Sequence, residues 1–259
     1  MPLPGVLRVV EADAVVYRRV WKGSAFSSFV TPALFLVAMG LGLGSLVDRG
    51  AGAPGFEGLS YVAFLAPGLL VASAMQSGAA QGSFKVMAGM KWDRTYHSVV
   101  ASPVGTGRLV GGHFIWTAIR MLMVSVIFGG VAAALGAISP VAALALAPVG
   151  MLIGLATAAP MTAFTANREN TEALTAVFRF GITPMYLFSG TFFPITQLPE
   201  WLQSVATVTP LWHAVELARR IALGHSSALP AWLHVGYLVL LFAVGVVLTQ
   251  RLFSRRLNV

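Results

Sequence analysis

The sequence predicts an all-α polytopic membrane protein that has an N-terminal amphipathic interfacial helix, six transmembrane helices and a re-entrant helical hairpin before the last span. Of the 259 residues, 57% are apolar and 10% are charged, whereas a soluble domain carries about 25% charged residues. The apolar residues form long uncharged runs, which are typical of membrane-spanning helices. The alternating pattern of a membrane β-barrel is absent. The lack of cysteine excludes disulfide frameworks and thiol chemistry.

The first predicted element is an amphipathic helix over residues 1–23. At about 100° per residue, charged and apolar side chains fall in opposite sectors. The charged sector contains Arg8, Glu11, Arg18, Arg19 and Lys22. The apolar sector contains Val6, Val10, Ala14, Tyr17 and Trp21, and it also holds one exception, Asp13. A basic amphipathic helix that ends in Tyr and Trp suits the membrane interface, although packing on a soluble partner is the alternative.

Residues 24–259 form the predicted six-helix transmembrane domain. Each predicted span is long enough to cross a hydrocarbon core of about 30 Å. The predicted spans are residues 24–47, 59–83, 108–136, 141–166, 171–193 and 230–253. The second span ends in the small residues Gly78, Ala79, Ala80 and Gly82, which allow another helix to approach closely.

The basic residues divide unequally between the two sides of these spans. Four lie in the N-terminal segment, four between spans two and three, one between spans four and five, and three in the C-terminal tail. The opposite side carries three, and two more lie within spans. The positive-inside rule therefore places both termini in the cytoplasm. The net charge of +8 reflects membrane topology, so we expect no nucleic-acid partner.

Catalytic and metal-binding motifs are absent from the sequence. No G-x-x-x-x-G-K-[ST], H-E-x-x-H or G-x-S-x-G occurs, and the five histidines are scattered. We therefore predict neither a metal site nor a nucleotide site. No carboxylate lies at the middle of a span, where a proton or sodium relay requires one. Arg120 and Arg179 lie inside spans and are candidates for a substrate path; snorkelling to the inner headgroups is the alternative.

Two connections between spans have sequences that indicate structure of their own. Residues 92–100 predict a short cytoplasmic helix, which Ser102-Pro103 would end. Residues 194–229 predict two short apolar helices that begin at Pro199 and Pro210. Such helices suit a re-entrant hairpin at the outer leaflet, where Trp201 and Trp212 fit the interface.

The same region carries a family resemblance. The residues that carry it are Ser189, Gly190, Phe193 and Pro194, then Leu198, Pro199 and Trp201, and finally Pro210 and Arg219. This signature, together with the order of segments, resembles type-2 ABC transporter permeases, the membrane subunits of ABC exporters. The nearest likeness is to the nodulation-type lipo-oligosaccharide export permeases and the daunorubicin-resistance permeases.

The resemblance implies a bacterial cytoplasmic-membrane exporter of two permease chains, expected as a homodimer among membrane lipids, and two ATPase subunits. ATP and Mg²⁺ would bind the ATPases, so this chain would hold no cofactor and would be no enzyme. Residues 92–100 would form the coupling helix, and the N-terminal helix would also contact the ATPase. The coupling residues would be Trp92, Asp93, Arg94, Thr95, Tyr96 and His97, followed by Pro103. The signature region would shape the outer exit.

The cargo is less defined than the transporter class. Spans rich in apolar residues fit an amphiphilic, lipidic or drug-like substrate, and a lipid-linked glycan or polysaccharide is the alternative. A stand-alone secondary transporter or channel is a further hypothesis, which the absence of a mid-span carboxylate disfavours. A membrane-embedded lipid enzyme would need clustered histidines or carboxylates, which the sequence lacks.

Overall fold

The fold is known from a computed structural model that describes residues 5–39, 42, 59–224 and 229–257. Within those residues, the regular structure is entirely helical. The helices are α1 (Gly5–Val37), α2 (Tyr61–Trp92), α3 (Thr95–Val100), α4 (Gly105–Ala134), α5 (Pro140–Ala166), α6 (172–188), α7 (Glu200–Val208), α8 (Pro210–Leu223) and α9 (Ala231–Leu257). A short 3₁₀ turn, Ile195–Gln197, precedes α7.

In the described part of the chain, four helices are long and apolar enough to cross a membrane: α2, α4, α5 and α9. Of the other two predicted spans, residues 24–47 extend beyond the described residues, and α6 covers residues 172–188. α6 contains a π-helical segment, Phe178–Ile182. α2 contains two more, Gln81–Lys85 and Ala88–Trp92.

α1 is continuous across the predicted boundary at residue 23. It runs from Gly5 to Val37 without a break. One glycine at the boundary, Gly23, does not end the helix, because a single internal glycine costs only about 1 kcal/mol relative to alanine. The predicted interfacial helix and the start of the first span are therefore one rod.

α5 lies at the centre of the bundle and packs against α2, α4 and α9. Its contacts use small residues. A Cβ added to Gly78 or Gly82 of α2 would collide with the α5 backbone at Gly154 or Ala158. A Cβ added to Gly245 of α9 would lie 2.6 Å from the Cβ of Ala159. In lipid, where the hydrophobic effect does not drive helices together, close packing of this kind drives their association. The prediction that Gly78 and Gly82 allow another helix to approach closely is therefore confirmed.

Serine and threonine side chains cap the first turns of helices that follow a turn in the chain. The Ala142 amide donates a hydrogen bond of 3.1 Å to Ser139 Oγ, directly before Pro140 at the first turn of α5. The Trp212 amide donates to Thr209 Oγ1 at 3.3 Å, before Pro210 of α8. Each side chain satisfies an amide that the helix leaves unpaired. These caps fix the tight turn between α4 and α5 and the break between α7 and α8.

Candidate functional site

α3 is a short exposed helix that one tyrosine holds against the bundle. Tyr96 is 8% exposed and is the buried side chain of this six-residue helix. Its neighbours Thr95 and His97 are exposed, as are Asp93 and Arg94 before them. The coupling segment predicted from residue 92 thus becomes helical at Thr95, because Arg94 adopts a left-handed conformation (φ 53°) that interrupts the backbone. Trp92, at the end of α2, is 60% exposed.

The Tyr96 ring lies in a pocket formed by three other helices. It lies against Gly89 of α2, and its centroid is 5.7 Å from that of Phe253 of α9. Its hydroxyl lies 3.5 Å from His113 Nδ1 of α4. On the other side of the imidazole, Thr162 Oγ1 of α5 lies 3.3 Å from Nε2. A series of polar contacts through Tyr96, His113 and Thr162 therefore joins α3 to the long helices α4 and α5.

Burial raises the pKa of the Tyr96 phenol, and the nearby Asp13 carboxylate raises it further. The phenol therefore stays protonated at physiological pH and keeps its O–H for the contact with the imidazole.

The start of α1 lies beside α3. A cavity of about 300 Å³ separates the two segments. Arg8 and Asp13 line it from α1, Thr95 and Tyr96 from the α3 side, and His113 from α4. The family resemblance implies that both segments contact the ATPase, and the structure places them next to each other. Glu11, Arg18 and Arg19 of α1 are exposed.

An ion pair and an aromatic stack fasten α1 to α2 and α4. Lys85 Nζ of α2 lies 2.6 Å from an Asp13 carboxylate oxygen. The Tyr17 ring packs edge-on against Trp116 at 5.8 Å, and the Arg120 guanidinium lies 4.3 Å above the Tyr17 ring. The ion pair with Lys85 explains why the carboxylate of Asp13 lies in the apolar sector of α1. Arg120 thus contacts the N-terminal helix.

A second charged cluster joins α2, the turn after α5 and the end of α9. Glu169 accepts hydrogen bonds from Lys91 at 2.6 Å and from Arg256 at 2.9 Å, and Arg256 also donates to Asn167 at 2.9 Å. The hydrogen bond from Lys91, with that from Arg256, lowers the pKa of the Glu169 carboxyl below its usual range. Because Glu169 is exposed, the cluster contributes little stability by itself.

At the opposite end of the bundle, a buried arginine holds the signature turn. Arg219 of α8 is 5% exposed. Its Nη2 donates to the Gly190 carbonyl at 2.6 Å and to the Thr191 carbonyl at 3.3 Å. Its guanidinium lies 3.7 Å from the centre of the Phe64 ring of α2. Gly190 has φ +83°, a conformation that favours glycine. The arginine thereby joins the turn, α8 and α2.

The other signature residues form the turn and the two short helices after it. Ser189 is buried, and its Oγ lies 2.8 Å from Thr209 Oγ1. Phe193, Pro194 and Leu198 are half-buried. Pro199 immediately precedes α7, and Pro210 begins α8, within one residue of the predicted starts. Trp201 is 70% exposed, whereas Trp212 is buried.

Comparison with known proteins identifies the family. The family model for the ABC-2 family transporter protein matches residues 53–250. A nodulation protein J from Rhizobium meliloti is 32% identical over 97% of this chain and 93% of the relative. One from Rhizobium leguminosarum bv. viciae is 32% identical over 93% of each chain, and one from Bradyrhizobium diazoefficiens is 31% identical over 94% of this chain and 90% of the relative.

The chain belongs to the ABC-2 family of transporter proteins. The resemblance drawn from the signature is confirmed. This ABC-2 protein is a bacterial membrane protein and the membrane subunit of an ABC exporter, whose ATPase is a separate partner subunit. No group of three or more His, Cys, Asp or Glu side chains in the described residues has the arrangement of a metal site.

Arg179, the second candidate for a substrate path, has a different setting from Arg120. It lies in the π-helical segment of α6 and is exposed, with its guanidinium 5.8 Å from the Phe180 ring. The two arginines lie on different helices of the ABC-2 bundle and contact different aromatic rings. A common substrate path through both remains a prediction.

Sequence reasoning missed three polar contacts of this ABC-2 bundle. It treated the histidines as scattered, yet His113 bridges Tyr96 and Thr162. The Nδ1 atoms of His213 and His234 lie 2.9 Å apart. Lys85 was used only to assign the membrane topology, yet its ammonium forms an ion pair with Asp13 of α1. Spacing offers no signal for these contacts, because each joins residues distant in sequence.

Proposed function

We propose that this chain is the permease half of a homodimeric, ATP-driven exporter that carries an amphiphilic, lipidic or drug-like substrate across the bacterial cytoplasmic membrane. In this proposal, both termini lie in the cytoplasm, and each permease binds one ATPase subunit. The ATPases bind ATP and Mg²⁺, and this chain binds neither.

One observation supports this assignment above the others: α3 and the residues just before it present an exposed face, whereas Tyr96 is buried among α2, α4 and α9. Val99 and Val100 at the end of α3 are half-buried. A helix that receives force from a partner needs an outer surface for contact and a firm attachment to the bundle. The exposed residues Trp92, Asp93 and His97 provide the surface. The buried Tyr96 provides the attachment.

The lengths of the helices support the proposed orientation. A hydrocarbon core of about 30 Å is crossed by about 20 helical residues. Counted from the signature end of α2, α4 and α9, this length ends at about residues 80, 115 and 250. Lys85, Trp116 and Arg251 lie at or just beyond this level, as expected for residues at the cytoplasmic interface. α2 and α4 then extend beyond the membrane toward α3.

The signature end would lie at the outer leaflet. There, α7 and α8 are too short to cross the membrane, and α8 is held by the buried Arg219. We propose that they form a re-entrant hairpin that shapes the exit, with exposed Trp201 at the interface.

The apolar bundle and the relatives support two candidate classes of substrate. The relatives are named nodulation protein J, and the sequence resembles lipo-oligosaccharide export permeases. A lipid-linked glycan is therefore the second candidate for the cargo. ATP-dependent uptake into inside-out vesicles, measured with a fluorescent lipid-linked oligosaccharide and with an amphiphilic dye, distinguishes the two.

Co-purification with the ATPase tests the coupling assignment. Trp92→Ala removes an exposed aromatic side chain at the proposed docking surface, and Trp201→Ala is the matched control at the other end of the bundle. An exposed tryptophan that anchors an interface contributes about 2 kcal/mol or more. We therefore expect Trp92→Ala to weaken ATPase binding about thirtyfold and Trp201→Ala to leave it unchanged.

Equal binding by both variants would refute the proposed docking surface at residues 92–100. The mass of the purified wild-type complex tests the stoichiometry, and two permeases with two ATPases are expected. Accessibility of tags fused to both termini in intact cells tests the orientation, since externally accessible termini contradict it.

A further inference from the structure

A groove of about 490 Å³ lies between α1 and α4, and it shares no lining residue with the cavity beside α3. Its lining residues are Ala14, Tyr17, Arg18, Trp21, Trp116, Met123 and Ile127. None of these residues is acidic, and Arg18 supplies the charge. An apolar groove with one cation at its edge has the chemistry to bind an amphiphile with an anionic head.

The groove changes in character along α4. At one end, Trp116 packs on Tyr17, and the Arg120 guanidinium lies 4.3 Å above the same Tyr17 ring. At the other end, Met123 and Ile127 present apolar side chains. At 1.5 Å per residue, Trp116 and Ile127 are about 16 Å apart along the helix. This distance matches the depth of one leaflet of a hydrocarbon core of about 30 Å.

We propose that this groove binds one anionic glycerophospholipid of the cytoplasmic leaflet. The phosphate lies beside Arg18, and an acyl chain follows Met123 and Ile127. The proposal rests on the cytoplasmic orientation of the termini given above, which places Trp116 at the inner interface.

Charge favours an anionic headgroup over a zwitterionic one at this position. Arg19 and Lys22 are exposed on the same stretch of α1 as Arg18 and add to the positive potential. The carboxylate closest along the helix, Asp13, is paired with Lys85 at 2.6 Å. A bound lipid contacts both α1 and α4, so it stabilises their association at the membrane interface.

Native mass spectrometry of the full-length chain in detergent tests the proposal. The protein is mixed with equal amounts of phosphatidylglycerol and phosphatidylcholine that carry identical acyl chains. Both lipids carry a phosphate, but the choline cation of phosphatidylcholine offsets its charge beside Arg18, so we expect about tenfold preferential retention of phosphatidylglycerol. Arg18→Gln removes most of the preference. Arg19→Gln removes the same charge from a position that does not line the groove, and it retains most of the preference.

A second pair of variants tests the acyl end of the groove. Met123→Trp fills that end, so we expect reduced retention of both lipids. Leu122→Trp adds the same bulk at the neighbouring exposed position, which does not line the groove, and we expect no loss.

Several results would overturn the proposal. These are equal retention of the two lipids by the wild-type chain, equal effects of Arg18→Gln and Arg19→Gln, and displacement of the lipid by millimolar inorganic phosphate. Loss of the lipid when two permease chains associate would show that a second copy occupies the groove, and it would also overturn the proposal. Because the assay contains neither ATP nor substrate, a negative result leaves the proposed exporter function untouched.

Discussion

Replacing one glycine in the Tyr96 pocket is expected to uncouple the exporter. A Cβ at Gly89 would lie 2.6 Å from Cε1 of Tyr96, so Gly89→Ala must displace the ring or the helix. Overpacking costs about 1 to 3 kcal/mol, whereas the helix gains about 1 kcal/mol from alanine. The net cost of up to about 2 kcal/mol lowers the ratio of attached to detached α3 by up to roughly thirtyfold.

The assay is transport per ATP hydrolysed, measured with the reconstituted permease and ATPase. Gly107→Ala is the matched control, because its Cβ would lie 3.7 Å from Gln250 Nε2, which is an ordinary contact. We expect Gly89→Ala to hydrolyse ATP with less transport per ATP than the wild type, and Gly107→Ala to resemble the wild type. If the two variants transport equally well per ATP, the reasoning that Tyr96 attaches the coupling helix is wrong.

Three further predictions concern the other polar contacts. Arg219→Lys loses the planar guanidinium whose Nη2 donates to both carbonyl oxygens of the signature turn and which stacks on Phe64, and we expect it to destabilise the protein by about 2 to 3 kcal/mol in thermal unfolding; an unchanged midpoint would contradict this. Asp13→Asn and Lys85→Gln should each destabilise by about 1 to 3 kcal/mol, and the double variant should cost less than their sum; simple additivity would show that the pair is not coupled. The pKa of the Glu169 carboxyl is depressed in the folded protein, so its stabilising contribution is complete above the ordinary pKa of about 4.5 and is lost as pH falls through the folded-state pKa. Hydrogen exchange near the end of α9 should therefore become faster in acid than the intrinsic exchange rate explains. Glu169→Gln should remove this acid sensitivity, and the control Glu172→Gln should retain it.

The fold class and the helix starts follow from the sequence because they depend on local properties. Low charge and long apolar runs predicted membrane helices, and α2, α4, α5 and α9 have the required length. Pro199 and Pro210 predicted the starts of two short helices within one residue, since proline is favoured at the first turn. Continuity of α1 was missed, because the change from a polar to an apolar face alters composition without breaking the backbone.

The candidate site was predicted only in outline because its contacts join distant parts of the chain. Residues 92–100 and the N-terminal helix were assigned to a common partner surface, and the structure places them beside one cavity. The role of Tyr96 depends on Gly89, Phe253 and His113, and no spacing in the sequence links these positions. Asp13 was visible as an exception on an apolar face, but its partner Lys85 lies 72 positions away.

α2 connects the two functional ends of the molecule. Near its end at Trp92, Gly89 forms one wall of the Tyr96 pocket, and near its start, Phe64 lies against the Arg219 guanidinium. A helix of 32 residues extends about 48 Å and can therefore carry a displacement of α3 to the signature turn.

The π-helical segment Gln81–Lys85 of α2 lies between Phe64 and Gly89, close to the level of the proposed inner interface. Because π-helical turns often mark functional sites in helices, we expect α2 to change direction most readily at this segment if α3 moves. α4 and α1 are fastened to the same region of α2 through Lys85, which pairs with Asp13 and lies 5.9 Å above the Trp116 ring. A force on α3 would therefore move α1, α2 and α4 together, while α8 follows through Arg219.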